Sequence, residues 1–363
     1  EQHRASPATC MPSPSSLMKA TLCPPAKPKT PSPPPSMTSN TPFWPRQSPN
    51  FLACRVATRA VVGEKPRRLA VGLSGGADSL ALTAALVAEG HDITALCIDH
   101  NLQEGSADQA RRAADQARAW GAGAEVIRVD VGKHGSVEAA ARTARYRAFA
   151  PWGEVAVAHT ADDQAETLLL GALRGKVSGM LERAEVEGVQ VLRPLLSVRR
   201  AQTEAACAEL GVEPWQDPHN GDPSFRRVAL RRDILPRLAD IVGGDPIPAL
   251  AQAAHDTALD DCSLRTLPTA DCAELAAMPE PKRRRAIAAW LREQGIEVTR
   301  EAIRGVDNLC TQWHGQGGVA VSAAADYEDR GEKVGARLEV FRVGGTLSLL
   351  PRSLKERSRA RHS

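Results

Sequence analysis

From Leu69 onward the chain alternates short apolar stretches with longer helical runs, and this alternation restricts the fold more than any other feature. RLAVGL (68–73) leads into a helical run from Asp78, DITALCID (92–99) into one from Glu104, and AEVIRVDV (124–131) into one from Ser136. A fourth strand fits EVAVAH (154–159) ahead of a helix near Asp162, and VQVLRPLL (189–196) reads as a fifth. Parallel neighbours need crossovers of helical length, so the expected class is α/β: a doubly wound parallel sheet with helices on both faces. A helix around Arg199–Leu210, a turn-rich loop (213–224) and a basic helix from about Phe225 to Ala239 follow. Beyond GGDPIP (243–248) the strand signal fades and Ala/Leu/Arg helices run to about Thr311, which predicts a second, mainly helical C-terminal domain. GARLEVFRVGGTLSLL (335–350) predicts a short β element.

Residues 1–50 stand apart. They hold half of the 26 prolines, in runs such as PPAKPKTPSPPPS, and bury too little apolar surface to offset their ordering entropy. No fixed fold is expected there, and because Met37 precedes a more ordinary amino terminus, part of the segment is expected to lie ahead of the native start. The expected organisation is a disordered extension over 1–50, an α/β domain over 51–240, a helical domain over 241–350 and a basic tail over 351–363. The chain lacks the run of about 18 apolar residues that a membrane span needs and the pattern of a secretory signal, so no membrane partner and a cytoplasmic location are expected. None of its eight cysteines stand in a Cys-x-x-Cys pair, which predicts reduced, mostly buried thiols.

The most informative stretch is LAVGLSGGADSLAL (69–82), an apolar strand running through Ser74, Gly75, Gly76, Ala77, Asp78 and Ser79 into a helix. The glycine pair lets backbone N–H groups face a ligand, and the positive end of the new helix attracts phosphate. Ser74 and Ser79 add hydroxyls. Asp78 would repel phosphate directly but suits a Mg²⁺ ion bridging phosphates. Neither the P-loop pattern nor G-x-G-x-x-G fits, which argues against a GTPase or a nicotinamide dehydrogenase.

Asp99 and His100 close the second strand, at the sheet edge where open parallel sheets bind ligands; they suit the base or ribose of a nucleotide, while Asp99 is equally well read as a helix cap. Arg142 and Arg145 lie three apart on one helix face and suit a pyrophosphate leaving group, or simply a solvated face. His159 ends a strand, and Asp163 and Glu166 share a face in the next helix. Two such carboxylates bind metal, act as base, receive an ammonium group, or only complement the helix dipole. Arg226, Arg227, Arg231 and Arg232, with Lys282 to Arg285 further on, form basic clusters that fit an RNA backbone or a solvated face.

SGGADS (74–79) resembles the loop of the PP-loop ATP pyrophosphatase superfamily. Joined with IDHNLQ (98–103), EAAARTARYRAF (138–149), AHTADDQAETLLLGALRG (158–175), LRPLL (192–196) and WQDPHNGDPSFRRVALRRDILPRL (215–238), it makes the chain similar to the tRNA(Ile)-lysidine synthetase family, with a looser match at WLREQGI (290–296) and WHGQGG (313–318). The resemblance implies a ligase that uses ATP and Mg²⁺ to join free L-lysine to C2 of the wobble cytidine of tRNA(Ile) with a CAU anticodon, through an adenylated tRNA. It implies ATP at Ser74–Ser79 with Asp99 and His100, metal at Asp78, and chemistry at Asp78, Arg142, Arg145, Asp163 and Glu166. Substrate contacts fall to His159, Asp163, Glu166, Arg227 and Arg231. It makes 51–240 the adenylating domain and 241–350 the tRNA-contacting one, and a homodimer is compatible with it. Two rivals remain: a tRNA thiolation enzyme, which commonly uses paired cysteines, and a non-catalytic nucleotide-binding RNA adaptor, which has no reason to keep Asp163 and Glu166.

Overall fold

A computed structural model describes residues 44, 48–101, 105–130, 137–216, 225–323 and 338–351. All but the first residue of the expected tail (351–363) and all but a few residues of the expected extension lie outside them. In chain order the first half contains α1 (Pro49–Val62), β1 (Arg68–Gly72), α2 (Ala77–Ala88), β2 (Asp92–Asp99), α3 (Ser106–Ala119), β3 (Gly123–Arg128), α4 (Val137–Phe149), β4 (Glu154–Ala156) and α5 (Ala161–Leu173). The hairpin β5 (Arg183–Val186) and β6 (Val189–Leu192) and helix α6 (Arg200–Glu209) follow, then α7 (Arg226–Ala229), a π-helical segment (Leu230–Ile234) and α8 (Leu235–Val242).

The sheet order is β3-β2-β1-β4-β6-β5, parallel throughout except for β5, which pairs antiparallel with β6. The chain winds outward from β1 to β3 and then returns to β4 on the other side of β1, so the switch point lies between β1 and β4. Both ends there open onto helix starts, which is where such sheets bind ligands. Alternate residues of β1 face opposite ways. Leu69 and Val71 enter one core with α1, α2, α3 and α6, while Ala70 meets Tyr146 and Phe149 of α4 on the other face. Gly72 belongs to that second face: a Cβ there would lie 2.9 Å from Phe149 Cζ.

Two elements of the first half, and the strand Val319–Val321 of the second, were not expected. Strand β5 escapes notice because its hairpin turns on Glu187 (φ 50°) and Gly188 (φ 78°), both left-handed, and Glu-Gly lacks the Asn-Gly or Asp-Gly signature of such turns. Helix α1 begins at the end of the proline-rich stretch, with Ser48 at its N-cap, and buries Phe51 and Cys54 in the main core. Its start is fastened by Glu209, which accepts from Asn50 N (3.2 Å), Asn50 Nδ2 (2.8 Å) and Phe51 N (2.9 Å). Helix α1 therefore starts two residues before the expected boundary at 51, and Trp44 packs against the same core.

The second half contains α9 (Ile247–Ser263), α10 (Cys272–Ala277), α11 (Glu280–Glu293), α12 (Arg300–Thr311), β7 (Val319–Val321), β8 (Leu338–Val343) and β9 (Thr346–Pro351), the strands forming an antiparallel sheet in sequence order. The break between hydrophobic cores does not fall at 240. Ile247 and Ala251 of α9 pack on Ala161 and Ala165 of α5, and Gly179 lies so close to the Ala254 carbonyl that no Cβ fits. The separate C-terminal core begins only at Cys272.

Truncating Phe51 removes a buried aromatic side chain from the main core. Phe51→Ala is expected to lower unfolding stability by about 3–5 kcal/mol, read as a fall in the urea midpoint; a change under about 1 kcal/mol would show α1 to be dispensable.

Candidate active site

The loop after β1 is built before any ligand arrives. Gly75 takes φ 87°, a conformation that costs other residues roughly 1–2 kcal/mol, and a Cβ there would run into Gln109 Nε2. Gly76 caps α2, whose first-turn N–H groups have no helical carbonyl to meet and so form an anion cradle. The Ser79 hydroxyl donates to the Gly76 carbonyl (2.9 Å), accepts from Ser74 N (3.2 Å) and lies 3.1 Å from the Ser74 hydroxyl. The two serines that were expected to face phosphate thus first close the loop on itself. Trp215 N donates to the Gly75 carbonyl (2.9 Å), bracing the loop from the segment after α6.

At the neighbouring strand end, Thr160 caps α5 in a reciprocal arrangement with Asp163: Asp163 Oδ2 accepts from Thr160 N (2.8 Å) and Oγ1 (3.0 Å). The two carboxylates at 163 and 166 do share a face, and what they meet is arginine. Arg200 donates from Nη2 to Asp163 Oδ1 (2.8 Å), from Nη1 to Glu166 Oε1 (3.3 Å) and from Nε to Asp78 Oδ2 (3.4 Å). Glu166 is 0% exposed and also accepts from Arg231 (2.8 and 3.0 Å) and Arg227 (3.2 Å). Glu166 is an enclosed anchor for three guanidiniums, not an open acceptor, and a further cation would have to displace one of them.

The electrostatics follow from this packing. Burial raises the Asp78 pKa, and the negative charge of Asp163 adds to it, against the pull of Arg200 and the Thr203 hydroxyl. Burial also opposes ionisation of Asp163, but Arg200, His159 and the Thr160 hydrogen bonds win and hold it below the usual carboxylate range. Burial would lower the Arg200 pKa; Asp163, Asp78 and Glu166 together raise it instead.

A basic rim lies across the same sheet edge. Burial drives the His159 pKa down to about 3, with Arg193, Arg142 and Arg145 reinforcing and Asp163 opposing, so its imidazole is neutral at pH 7. His100 is shifted the same way by burial and Arg145. The Nδ1 atoms of both histidines are buried and have no protein partner. The Arg142 guanidinium sits 4.8 Å from the Tyr146 ring centre. Asp99 turns inward: its Oδ1 accepts from Asn101 N (2.9 Å) and the Ser106 hydroxyl (2.7 Å), so it organises the loop at the mouth of α3.

Arg199 and Arg200 were not singled out from sequence, although a signal exists. Both stand at the start of α6, where the helix dipole disfavours cations. Arg199 binds Asp162 (3.1 Å) and Asp245, and Arg200 N donates to Asp162 Oδ2 (2.8 Å). Asp162 therefore ties α6 to α5, while the cap of α5 is Thr160. The run 282–285 is likewise engaged internally: Arg283 pairs with Asp307, Arg284 with Glu280 (2.7 Å) and Arg285 with Asp261. The Arg283 and Arg285 pairs join α11 to α12 and α9, while the Arg284 pair is an exposed one within α11.

A glycine turn leading from the first strand of a parallel sheet into an acidic helix start defines a PP-loop domain, and residues 52–238 match the PP-loop domain family. Residues 271–330 match the TilS substrate binding domain, beginning where the second core begins. The tRNA(Ile)-lysidine synthase of Corynebacterium diphtheriae is 53% identical over 309 residues, covering 85% of this chain and 99% of its own. That of Corynebacterium glutamicum is 48% identical over 84% of this chain and 96% of its own, and that of Rhodococcus erythropolis 47% over 76% and 90%. The chain belongs to the tRNA(Ile)-lysidine synthase family and is a ligase.

Two measurements test the site's construction. Gly75→Ala should leave the circular dichroism spectrum unchanged and weaken ATP binding more than tenfold; unaltered affinity would mean that the loop tolerates a Cβ. Burial raises the Asp99 pKa, but Ser106, Asn101, Arg128 and His100 outweigh it and the net shift is downward. The ionised form therefore stabilises the fold above about pH 4, and that contribution is lost as pH falls through the folded value. Asp99→Asn should be less stable at pH 7 and lose less between about pH 4 and 2, which urea midpoints across pH will read.

Proposed function

We propose that the chain uses ATP to join free L-lysine to C2 of the wobble cytidine of tRNA(Ile) with a CAU anticodon. The observation that carries this reading is the convergence of Asp78 from the phosphate loop and Asp163 from the next strand's helix on one guanidinium, which brings a triphosphate cradle and an ammonium acceptor within one side chain of each other. ATP lies along the Ser74–Ser79 loop, with its base toward Asp99 and His100. The cytidine C2 oxygen attacks the α-phosphorus and the bond to pyrophosphate breaks, with Arg142 and Arg145 meeting the developing charge. The terminal amine of lysine, having lost a proton, then attacks C2; the C–N bond forms as the C2–O bond breaks and AMP leaves. Adenylation makes a poor leaving oxygen a good one, which is why ATP is required.

Mg²⁺ fits the donor chemistry at the loop. It is held by one or two carboxylates with substrate phosphates and its own waters, and Asp78 supplies such a carboxylate at the first turn of α2. Among the described residues no three His, Cys, Asp or Glu side chains form a cage of their own. When bound, the ion neutralises phosphate charge. Asp163 receives the amino acid's ammonium group, beside a His159 that is neutral and adds no competing positive charge, and the amine gives up its proton to water before it attacks. Glu166 fixes Arg227 and Arg231, whose partly exposed guanidiniums meet tRNA phosphates. Against a thiolation enzyme, the described catalytic-half thiols are buried and held protonated, with Cys54 and Cys207 pushed to about 12 and Cys97 to about 11. No helix among the described residues is long and apolar enough to cross a membrane, in keeping with a cytoplasmic enzyme. A second copy of the chain remains a compatible partner.

Neutralising Asp163 separates the two steps. In rapid-quench assays with tRNA(Ile), Asp163→Asn should raise the lysine requirement at least tenfold and release pyrophosphate faster than lysidine forms. If both steps fall together, Asp163 serves ATP and the amino-acid pocket lies elsewhere.

A further inference from the structure

Arg200 occupies the oxygen that the amino acid needs. Asp163 Oδ2 is committed to the cap of α5, where it accepts from both Thr160 N and its hydroxyl, so Oδ1 alone is available to a ligand. That oxygen is held by Arg200 Nη2 at 2.8 Å. The other two bonds of the same guanidinium are longer, 3.3 Å to Glu166 and 3.4 Å to Asp78. The side chain is only 17% exposed and that of Asp163 16%, so an ammonium group cannot share the oxygen without moving Arg200.

We infer that Arg200 is a displaceable counter-ion that keeps the lysine pocket closed until nucleotide binds. The inference rests on the reading of Asp163 as the ammonium acceptor. Three carboxylates, Asp78, Asp163 and Glu166, face three guanidiniums, Arg200, Arg227 and Arg231, so the cluster balances in charge without ligands. Ammonium entering alone would leave a net positive charge in a largely buried site. A triphosphate arriving at the loop brings excess negative charge beside Asp78, which Arg200 already touches, and a guanidinium binds phosphate in bidentate fashion. Turning toward it releases Asp163 Oδ1.

The surrounding structure permits that motion. The backbone of Arg200 is fixed by Asp162, which accepts from its N–H, so the side chain turns on a stationary base. Glu166 keeps Arg227 and Arg231 when Arg200 leaves, so this fully buried carboxylate stays paired, and Asp163 Oδ1 is the oxygen opened to the incoming ammonium. Nucleotide and lysine are then coupled: each strengthens the other's binding by the same factor, of the 5–150-fold size typical of such linkage.

The test is calorimetric titration of L-lysine into the full chain without tRNA, with and without Mg²⁺ and a non-hydrolysable ATP analogue. In the unaltered protein the analogue should tighten lysine binding at least fivefold. In Arg200→Met, lysine should bind more tightly without nucleotide, and the analogue should change its affinity less than twofold. Arg200→Lys keeps the charge but cannot bridge Asp78 and Asp163 together, and should show intermediate coupling; it reads the same quantity if Arg200→Met does not fold. Full coupling in whichever variants fold, no coupling in the unaltered protein, or no lysine binding under either condition would overturn the inference. Asp163→Asn separates this from the pocket assignment: lysine binding unaffected by that change refutes the pocket, whereas binding that depends on Asp163 but keeps its coupling without Arg200 refutes only the counter-ion.

Discussion

Enclosing the Glu166 carboxylate completely is tolerable only because three guanidiniums meet it, and much of the site's geometry follows from that requirement. Burying a charge costs several kcal/mol unless it is paired and hydrogen-bonded. Arg200 comes from α6, Arg231 from the π-helical segment and Arg227 from α7, so one carboxylate on α5 holds three later parts of the chain against the phosphate-loop edge of the sheet. Arg200 then reaches Asp78 and Asp163, and the loop after β1 becomes continuous with the start of α5 through a single side chain.

The sheet makes this possible. Because β1 lies between β2 and β4, the loops leaving β1 and β4 open side by side, and residues 78 and 163 meet although 84 others separate them. Helix α2 is buried from Ser79 to Leu86, which leaves the helix start no freedom to drift. Helix α9 extends the support. Its alanines pack on α5, and the Gln164 side chain exchanges two 2.8 Å hydrogen bonds with the backbone of Met180, so the segment between α5 and β5 is clamped beneath it.

Basic residues differ in what they meet inside the fold. The run from Lys282 to Arg285 looks like a nucleic-acid patch, yet Arg283, Arg284 and Arg285 each have a carboxylate partner within the fold. The less conspicuous pair Arg199 and Arg200 lies at the centre of the site. A cation at a helix start is locally unfavourable, and a locally unfavourable placement is where function shows through.

Local information determined the strands from β1 to β4 and β6, the helices between them, the end of α12 at Thr311, and the presence of a β element within 335–350, because hydrophobic period and turn chemistry are properties of neighbours in the chain. The same holds for the loop at 74–79 and for Asp163 and Glu166 sharing a face, since three residues along a helix bring side chains together wherever the helix lies. Tertiary structure alone decided that α1 joins the core, that α9 sides with the catalytic half, and that the carboxylates face Arg200, Arg227 and Arg231. Those pairings span 34 to 65 residues, and a charge has no preferred distance along the sequence: its partner is whichever opposite charge the packing of apolar faces carries beside it.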